Sequence, residues 1–298
     1  MSSILKTILA AFSFGTRFRG PVKPDSPRVF SVALAMQPLI GLLLGIAAAL
    51  LPLFMAFSFR DLQGLVLFAS GIYLFLVEWL TRFDNLHGFD AACRALAGVE
   101  APPEERLQRL DRPGSSPCTA LLVGLKIMLL YLIFLRIALF GDWMLLASIL
   151  VIVPFFGRIA MLFAYPSAPG KQPGSVGIAV KIFWTLAALV LLAFILGWLR
   201  TTGGIFFSFR SMKLTMSGFN LAPTGFGGVP PLITIISLGI QDTFTFFMSG
   251  YLAAMYWNIE AQFKLRMKPA PCFAGAICET AELAAMIVFL ILTSDLIA

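Results

Sequence analysis

The longest polar stretch of this apolar chain, residues 81–117, carries the side chains best suited to chemistry on a polar substrate. It holds the only histidine, His87, between Asp84 and Asp90. Their i, i+3, i+6 spacing would place all three roughly on one face of a helix. Six acidic residues and five arginines share the stretch, so the alternative is a solvated loop whose opposite charges pair.

Composition restricts the elements that can position these residues. Hydrophobic residues make up 59% of the 298 residues and charged residues only 12%, whereas soluble domains are roughly 25% charged. A membrane-spanning helix needs about 20 mostly apolar residues, and several runs of the chain are that long. We therefore expect a single all-α integral membrane domain over residues 1–298, a polytopic helical bundle with no separate soluble domain.

The apolar runs predict about seven transmembrane helices. They lie at about 29–57, 64–80, 119–140, 143–165, 176–199, 232–257 and 272–294. Within the first of them, Gly41 and Gly45 form a small-xxx-small pattern that allows close contact between helices.

The distribution of basic residues predicts the orientation in the membrane. With a cytoplasmic N-terminus, the internal segments 1–28, 82–118, 166–175 and 258–270 hold fourteen Lys or Arg, and the external segments hold four. Positive residues collect on the cytoplasmic side, so this orientation is favoured, and the net charge of +7 does not indicate nucleic-acid binding. Residues 1–28 are expected to form a basic interfacial N-terminus. The polar loop 82–118 is then cytoplasmic, and the Gly/Pro/Phe-rich loop 200–231 is external.

Four ionisable residues inside the predicted spans are candidates for function. A charge at the bilayer centre costs several kcal/mol unless it is paired or hydrated. Lys126, Arg158, Glu279 and Glu282 could lie at similar depth, which predicts a polar cavity open to the cytoplasm. The alternative is structural ion pairing, for example between Arg158 and Glu279.

Several short motifs run along the chain. They are Phe12-Ser-Phe-Gly-Thr-Arg17, Gln37-Pro-Leu-Ile-Gly41 continuing to Gly45, the loop 85–95, Asp111-Arg112-Pro-Gly114, Gly157-Arg158 through Tyr165, and Gly275-Ala-Ile-Cys-Glu279-Thr-Ala-Glu282. Together they resemble the motifs of the cobalamin synthase family, the adenosylcobinamide-GDP ribazoletransferases. The resemblance implies a multi-pass enzyme of the bacterial cytoplasmic membrane.

The resemblance also implies a reaction and a set of residues. The family joins α-ribazole, or its phosphate, to adenosylcobinamide-GDP and releases GMP, with Mg²⁺ screening the phosphate oxygens. The implied partners are corrinoid nucleotides, ribazole-type molecules and lipid, with a homo-oligomer possible and no nucleic acid. The implied catalytic residues are Asp111, Glu279 and Glu282. The implied phosphate-binding residues are Arg112, Arg158 and Lys126.

The acidic part of the family pattern is degenerate in this sequence. His87, Ala91 and Arg94 stand at three aspartate positions of the family, and Cys272 stands at a fourth. Asp84, His87 and Asp90 are the predicted replacement metal site, although histidine suits zinc or manganese better than magnesium. Two other hypotheses follow: a catalytically inactive binding or assembly partner, and a small-solute transporter. The chain shows no internal repeat of the kind that many transporters have.

Overall fold

A computed structural model of the chain describes residues 27–58, 63–97, 101–111, 114–140, 143–165, 176–202, 232–266 and 273–292, together with residues 9, 12, 13, 16 and 17. In chain order the helices are α1 (Pro27–Ala35), α2 (Gln37–Ser58), α3 (Gln63–Leu80), α4 (Asp84–Leu96), α5 (Pro103–Asp111), α6 (Pro117–Phe140), α7 (Trp143–Met161), α8 (Ile178–Thr202), α9 (Leu232–Leu265) and α10 (Ala274–Leu292). A short 3₁₀ turn, Leu162–Ala164, extends α7. These ranges contain no strand, which confirms the predicted all-α class.

Seven long helices of the described residues, α2, α3 and α6 to α10, overlap the seven predicted segments. The first predicted segment, 29–57, is divided between α1 and α2, and α9 extends to Leu265, beyond the predicted end at 257. Four stretches are long and apolar enough to cross a membrane: Gln37–Met55, Pro117–Ile137, Leu146–Ala164 and Ala274–Ile291. Leu67–Leu80 and Ile178–Leu191 are apolar but shorter. The chain is therefore a multi-pass membrane protein, while the count of seven spans and the side of the N-terminus stay predictions. Most of the predicted segments 1–28 and 200–231 lies outside the described residues.

The polar stretch 82–118 is not an open loop, because it contains the two helices α4 and α5. The turn from α3 into α4 is made by Arg82 and Phe83, which adopt the left-handed backbone conformation with φ of 59° and 61°. This conformation is uncommon for residues other than glycine. The carbonyl oxygen of Glu78 holds the turn by accepting hydrogen bonds from the backbone N–H of Phe83 (2.7 Å) and the hydroxyl of Thr81 (3.0 Å).

Helices α2 and α7 cross at the predicted small-xxx-small pattern. A Cβ atom at Gly41 would lie 2.7 Å from the carbonyl oxygen of Pro154, and one at Gly45 would lie 2.8 Å from that of Val151. Neither distance leaves room for a side chain. The prediction that these glycines permit a close helix contact is thus confirmed.

A second glycine contact places α4 against α10. A Cβ atom at Gly275 would lie 2.6 Å from the carbonyl oxygen of Asn85, and one at Gly88 would lie 3.0 Å from the Cα atom of Gly275. The two backbones therefore touch, with no side chain between them. This contact sets where the polar face of α4 lies relative to the membrane helices.

The contact between α4 and α10 gives a testable prediction. We expect Gly275→Ala to lower the free energy of unfolding by about 2 kcal/mol, because backbone atoms must shift to admit the methyl group. Gly71→Ala is the matched control, since a Cβ atom at Gly71 meets no atom within 4 Å and alanine favours a helix by up to about 1 kcal/mol. Thermal unfolding in detergent measures both. Equal destabilisation by the two substitutions would contradict the contact.

Candidate functional site

The carboxylate of Asp90 is buried and already bonded on both oxygens. Oδ1 accepts hydrogen bonds from the backbone N–H of Ser116 (2.5 Å) and the hydroxyl of Thr119 (2.7 Å), and Oδ2 pairs with Nε of Arg94 (2.9 Å). Burial alone would raise the pKa of Asp90, but these bonds and the charge of Arg94 outweigh it and lower the pKa. Asp90 thus anchors the start of α6 to α4, in the manner of an N-terminal cap.

Asp84 and His87 lie on the accessible side of α4. Partial burial of the Asp84 carboxyl raises its pKa, and this effect outweighs the opposing electrostatic effects of Arg82, Arg158 and His87. Arg158 belongs to α7, so a charge from a helix far away in the sequence acts electrostatically on Asp84. Asp84 is the more basic of the two aspartates on this helix.

The three predicted metal ligands of α4 do not form a metal-binding group. Among the described residues, the one set of three His, Cys, Asp or Glu side chains with ligand atoms within 4.8 Å of one another is Glu78, Glu279 and Glu282. Both oxygens of Asp90 are engaged in protein contacts, so the residues present here do not fit Mg²⁺. The magnesium cofactor stays a prediction.

The cluster of three glutamates encloses a lysine. Lys126 Nζ pairs with a carboxylate oxygen of Glu279, lies 2.7 Å from Oε2 of Glu282 and lies 3.7 Å from Oε1 of Glu78. We call these four residues the Lys126 cluster. Lys126 and Glu279 are 0% exposed, Glu282 is 3% exposed and Glu78 is 4% exposed. The ammonium group occupies the position that a metal ion would take among these oxygens.

The expected cavity open to the cytoplasm is therefore wrong for Lys126, Glu279 and Glu282, because the three side chains face one another in a closed interior. The catalytic role of the two glutamates and the phosphate-binding role of Lys126 stay predictions. The sequence did not single out Glu78 as a site residue. The signal was present, however, since an acidic residue ends an apolar run there.

The Lys126 cluster is closely packed from α7 and α10. A Cβ atom at Gly157 would lie 2.6 Å from Cγ of Glu282, so only glycine leaves room for this glutamate. The thiol of Cys278 lies 3.6 Å from Oε1 of Glu282. Next to the cluster, the hydroxyl of Tyr73 donates a hydrogen bond of 2.5 Å to the carbonyl oxygen of Leu150.

Arg158 is 5% exposed and donates a hydrogen bond of 2.5 Å from Nη1 to Oε1 of Gln37. A Cβ atom at Gly41 would lie 2.8 Å from Cγ of Arg158, so this glycine also makes space for the arginine. The alternative pairing of Arg158 with Glu279 is not what the structure shows, since Glu279 pairs with Lys126. Gln37 was not predicted as a site residue, because an isolated amide in an apolar span gives no chemical pattern.

Arginines attach α5 to the end of α4. Arg106 donates to the carbonyl oxygens of Ala101 (2.7 Å) and Leu96 (3.3 Å), and Arg109 donates to that of Ala97 (2.5 Å). The bonds to Leu96 and Ala97 satisfy carbonyl groups that the end of α4 leaves unpaired, and the bond to Ala101 fixes the connection between the two helices. The charges of the stretch 82–118 thus hold it together. Asp111 ends α5, but its side chain lies outside the described part of the chain, as does the whole of Arg112, so both assignments stay predictions.

The N-terminal Thr-Arg motif reaches the same end of the bundle. The backbone N–H of Arg17 donates to the carbonyl oxygen of Leu80 (2.6 Å), and its guanidinium carbon lies 4.6 Å from the centre of the Trp79 ring. Arg82 donates to the carbonyl oxygen of Ser13 at 3.3 Å. These contacts hold the N-terminal segment against the turn that begins α4.

Comparison with known proteins identifies one family. The family model described as cobalamin-5-phosphate synthase matches residues 7–256, which include α1 to α8 and most of α9 but not α10. No curated protein and no solved structure matches the chain.

Asp90 gives a prediction for stability and its pH dependence. We expect Asp90→Asn to lower the free energy of unfolding at pH 7 by about 2 kcal/mol, because the amide cannot serve all three donors. The pKa of Asp90 is lowered by folding, so its contribution is fully present above the unfolded value of about 3.9. The contribution is lost as the pH falls through the lower folded value.

Thermal unfolding of wild type and Asp90→Asn at a series of pH values tests this. The difference in stability should shrink as the pH falls below about 4. Glu104→Gln is the control, because Glu104 is exposed in the first turn of α5. A difference that stays constant down to the acid limit would show that the carboxylate is not what holds α6 to α4.

Proposed function

Because the chain belongs to the cobalamin-5-phosphate synthase family, whose model matches residues 7–256, we propose that it catalyses the transferase reaction of that family. In this reaction α-ribazole, or its phosphate, is joined to the cobinamide phosphate of adenosylcobinamide-GDP, and GMP is released. The site would lie on the cytoplasmic side of a bacterial inner membrane. Family membership supports a role in cobalamin synthesis; the specific reaction is our proposal.

One observation of the fold supports this proposal most strongly: motifs that are far apart in the sequence meet around α4. Gly275 of α10 contacts Gly88 of α4, and Gly41 of α2 packs on Arg158 of α7. Arg158 in turn acts electrostatically on Asp84 at the start of α4. Residues from α2, α7 and α10 that carry the family resemblance are thus linked, by packing or by charge, to α4.

The chemistry of that face suits transfer of a phosphoryl group. A hydroxyl oxygen of the ribazole attacks the cobinamide phosphorus, its proton leaves, and the bond from phosphorus to the GMP oxygen breaks. We assign acceptance of the proton to Asp84, because its raised pKa makes it a better base than an ordinary aspartate. Arg158 supplies a positive charge that acts on Asp84, and a guanidinium group suits a phosphate oxygen. We assign no step to a metal ion.

A second candidate function is corrinoid-nucleotide binding without catalysis. It is favoured by the contact between Arg94 and Asp90, which are 2.9 Å apart. Arg94 stands where the family resemblance places an aspartate, and it neutralises the one buried carboxylate of α4. A chain that kept the binding surface and lost the acidic set would still bind the nucleotide.

Release of GMP from adenosylcobinamide-GDP and α-ribazole, by the purified protein in lipid, tests the transferase. We expect Asp84→Asn to lower kcat about 100-fold, as loss of a general base does. The wild-type rate should fall as the pH drops through the pKa of Asp84, and this acidic limb should disappear in the variant. Glu104→Gln serves as the control for the wild-type rate.

The two candidate functions separate by a binding measurement on the same preparation. Tight binding of adenosylcobinamide-GDP without GMP release would establish the binding protein and overturn the transferase. Absence of both binding and release would overturn both proposals, leaving family membership as a statement about ancestry and fold.

A further inference from the structure

The Lys126 cluster has a defined centre and three partners. Lys126 comes from α6, Glu78 from α3, and Glu279 and Glu282 from α10. An ammonium group has three N–H donors and no acceptor. Two of its three carboxyl partners are within hydrogen-bonding distance and Glu78 is 3.7 Å away. Oε2 of Glu78 and Oε1 of Glu279 are buried and have no hydrogen-bond partner, so Lys126 is the principal compensating charge for both groups.

The first arm of the cluster leads to the start of α4. The side chain of Glu78 faces Lys126, while the carbonyl oxygen of the same residue holds the left-handed turn through Phe83 N and Thr81 Oγ1. Asp84 follows that turn directly. A shift of Glu78 would therefore move the first residue of α4, because no other residue lies between the turn and the helix.

The second arm leads to the surface on which α4 lies. Glu279 is one helical turn beyond Gly275, and Gly275 is in backbone contact with Asn85 and Gly88. Pairing with Lys126 thus holds α10 at the depth and rotation that this contact requires. Lys126 thus acts on α4 by two separate sets of contacts. One set, through Glu78, acts on the first residue of α4, and the other, through Glu279 and Gly275, acts on its packed face.

We propose that Lys126 is a positioning residue: its ammonium group is the built-in cation of a three-carboxylate cage and holds both the turn that begins α4 and the helix against which α4 packs. Lys126 itself touches no substrate in this role, since it is 0% exposed. The proposal rests on the proposed function in one respect, namely that α4 carries the proton acceptor Asp84. The position of α4 can be measured without any substrate.

Hydrogen exchange of the backbone amides of residues 84–96 tests the proposal. Two variants are compared with wild type in the same detergent or lipid. Lys126→Met removes the centre of the cage, and we expect exchange throughout α4 to become at least about tenfold faster, because local opening needs less free energy. Glu78→Gln removes the ion pair between Glu78 and Lys126 and leaves Lys126 paired with Glu279 and Glu282. It should accelerate exchange in the turn and in the first turn of α4 only.

Lys181→Met is the matched control. Lys181 is also buried, with 6% exposure, and its Nζ donates to the carbonyl oxygen of Tyr165 at 2.6 Å, a contact between α8 and the residue that follows the 3₁₀ turn. This variant should leave exchange in residues 84–96 within about twofold of wild type, even if it unfolds at a lower temperature. Acceleration in α4 equal to that of Lys126→Met would show a general loss of stability and overturn the proposal.

The remaining outcomes are also decisive. If Lys126→Met does not fold, Glu78→Gln decides, and unchanged exchange at the start of α4 in that variant overturns the proposal. If the wild type releases GMP, the kinetics of Lys126→Met and Glu78→Gln give a further test. After correction for the folded fraction, each variant should lower kcat at least about tenfold and leave KM within about threefold of wild type. A positioning residue acts on turnover rather than on substrate contacts. A wild type without GMP release would contradict the proposed function, and the exchange data would still decide the role of Lys126.

Discussion

Burial of charge is the constraint on which this structure depends. A charged side chain in a membrane interior is tolerated only when partners replace the water that it loses. Lys126 and its three carboxyl partners meet this requirement together, at 0–4% exposure. Because removing Lys126 would leave buried carboxyl groups without their principal compensating charge, the cluster favours one arrangement of α3, α6 and α10. The cluster thereby fixes the relative depth of these three helices in the membrane core.

The charges can meet only because glycines allow the helices to approach. Gly157 leaves the space that the side chain of Glu282 fills, and Gly41 leaves the space that Arg158 fills. At Gly88 and Gly275 the same principle brings two backbones together. In lipid, close packing and polar contacts replace the hydrophobic effect as the source of helix association. The small residues and the buried charges are therefore two parts of one arrangement.

Next to this core, the polar stretch contains the folded helices α4 and α5, which we call the cap, and it carries the accessible catalytic candidate Asp84. Asp90, Arg94, Arg106 and Arg109 are engaged in contacts within the cap or with the start of α6. Among the described residues of the cap, Asp84 combines an accessible position, a raised pKa and an electrostatic effect from a positive group on another helix. The buried carboxylate of α4 therefore has a structural use.

The amino-acid sequence by itself determined the all-helical class, the positions of the long helices and the small-xxx-small crossing at Gly41 and Gly45. These features follow from local properties, namely the length of apolar runs and the absence of side chains at fixed spacing. The sequence also marked Lys126, Arg158, Glu279 and Glu282 as costly residues in the membrane. It could not assign their partners, because the choice depends on which helices become neighbours.

Only the tertiary structure decided those pairings. It joined Lys126 to Glu78 over 48 positions of sequence and to Glu279 over 153, and it placed Gln37 against Arg158. It also separated Asp84 from Asp90, although regular spacing on α4 had grouped them. Spacing along a helix fixes only the direction of a side chain, whereas the elements packed around it decide whether the group is exposed, paired or buried. For this chain, that packing is set by the glycine contacts and by the Lys126 cluster.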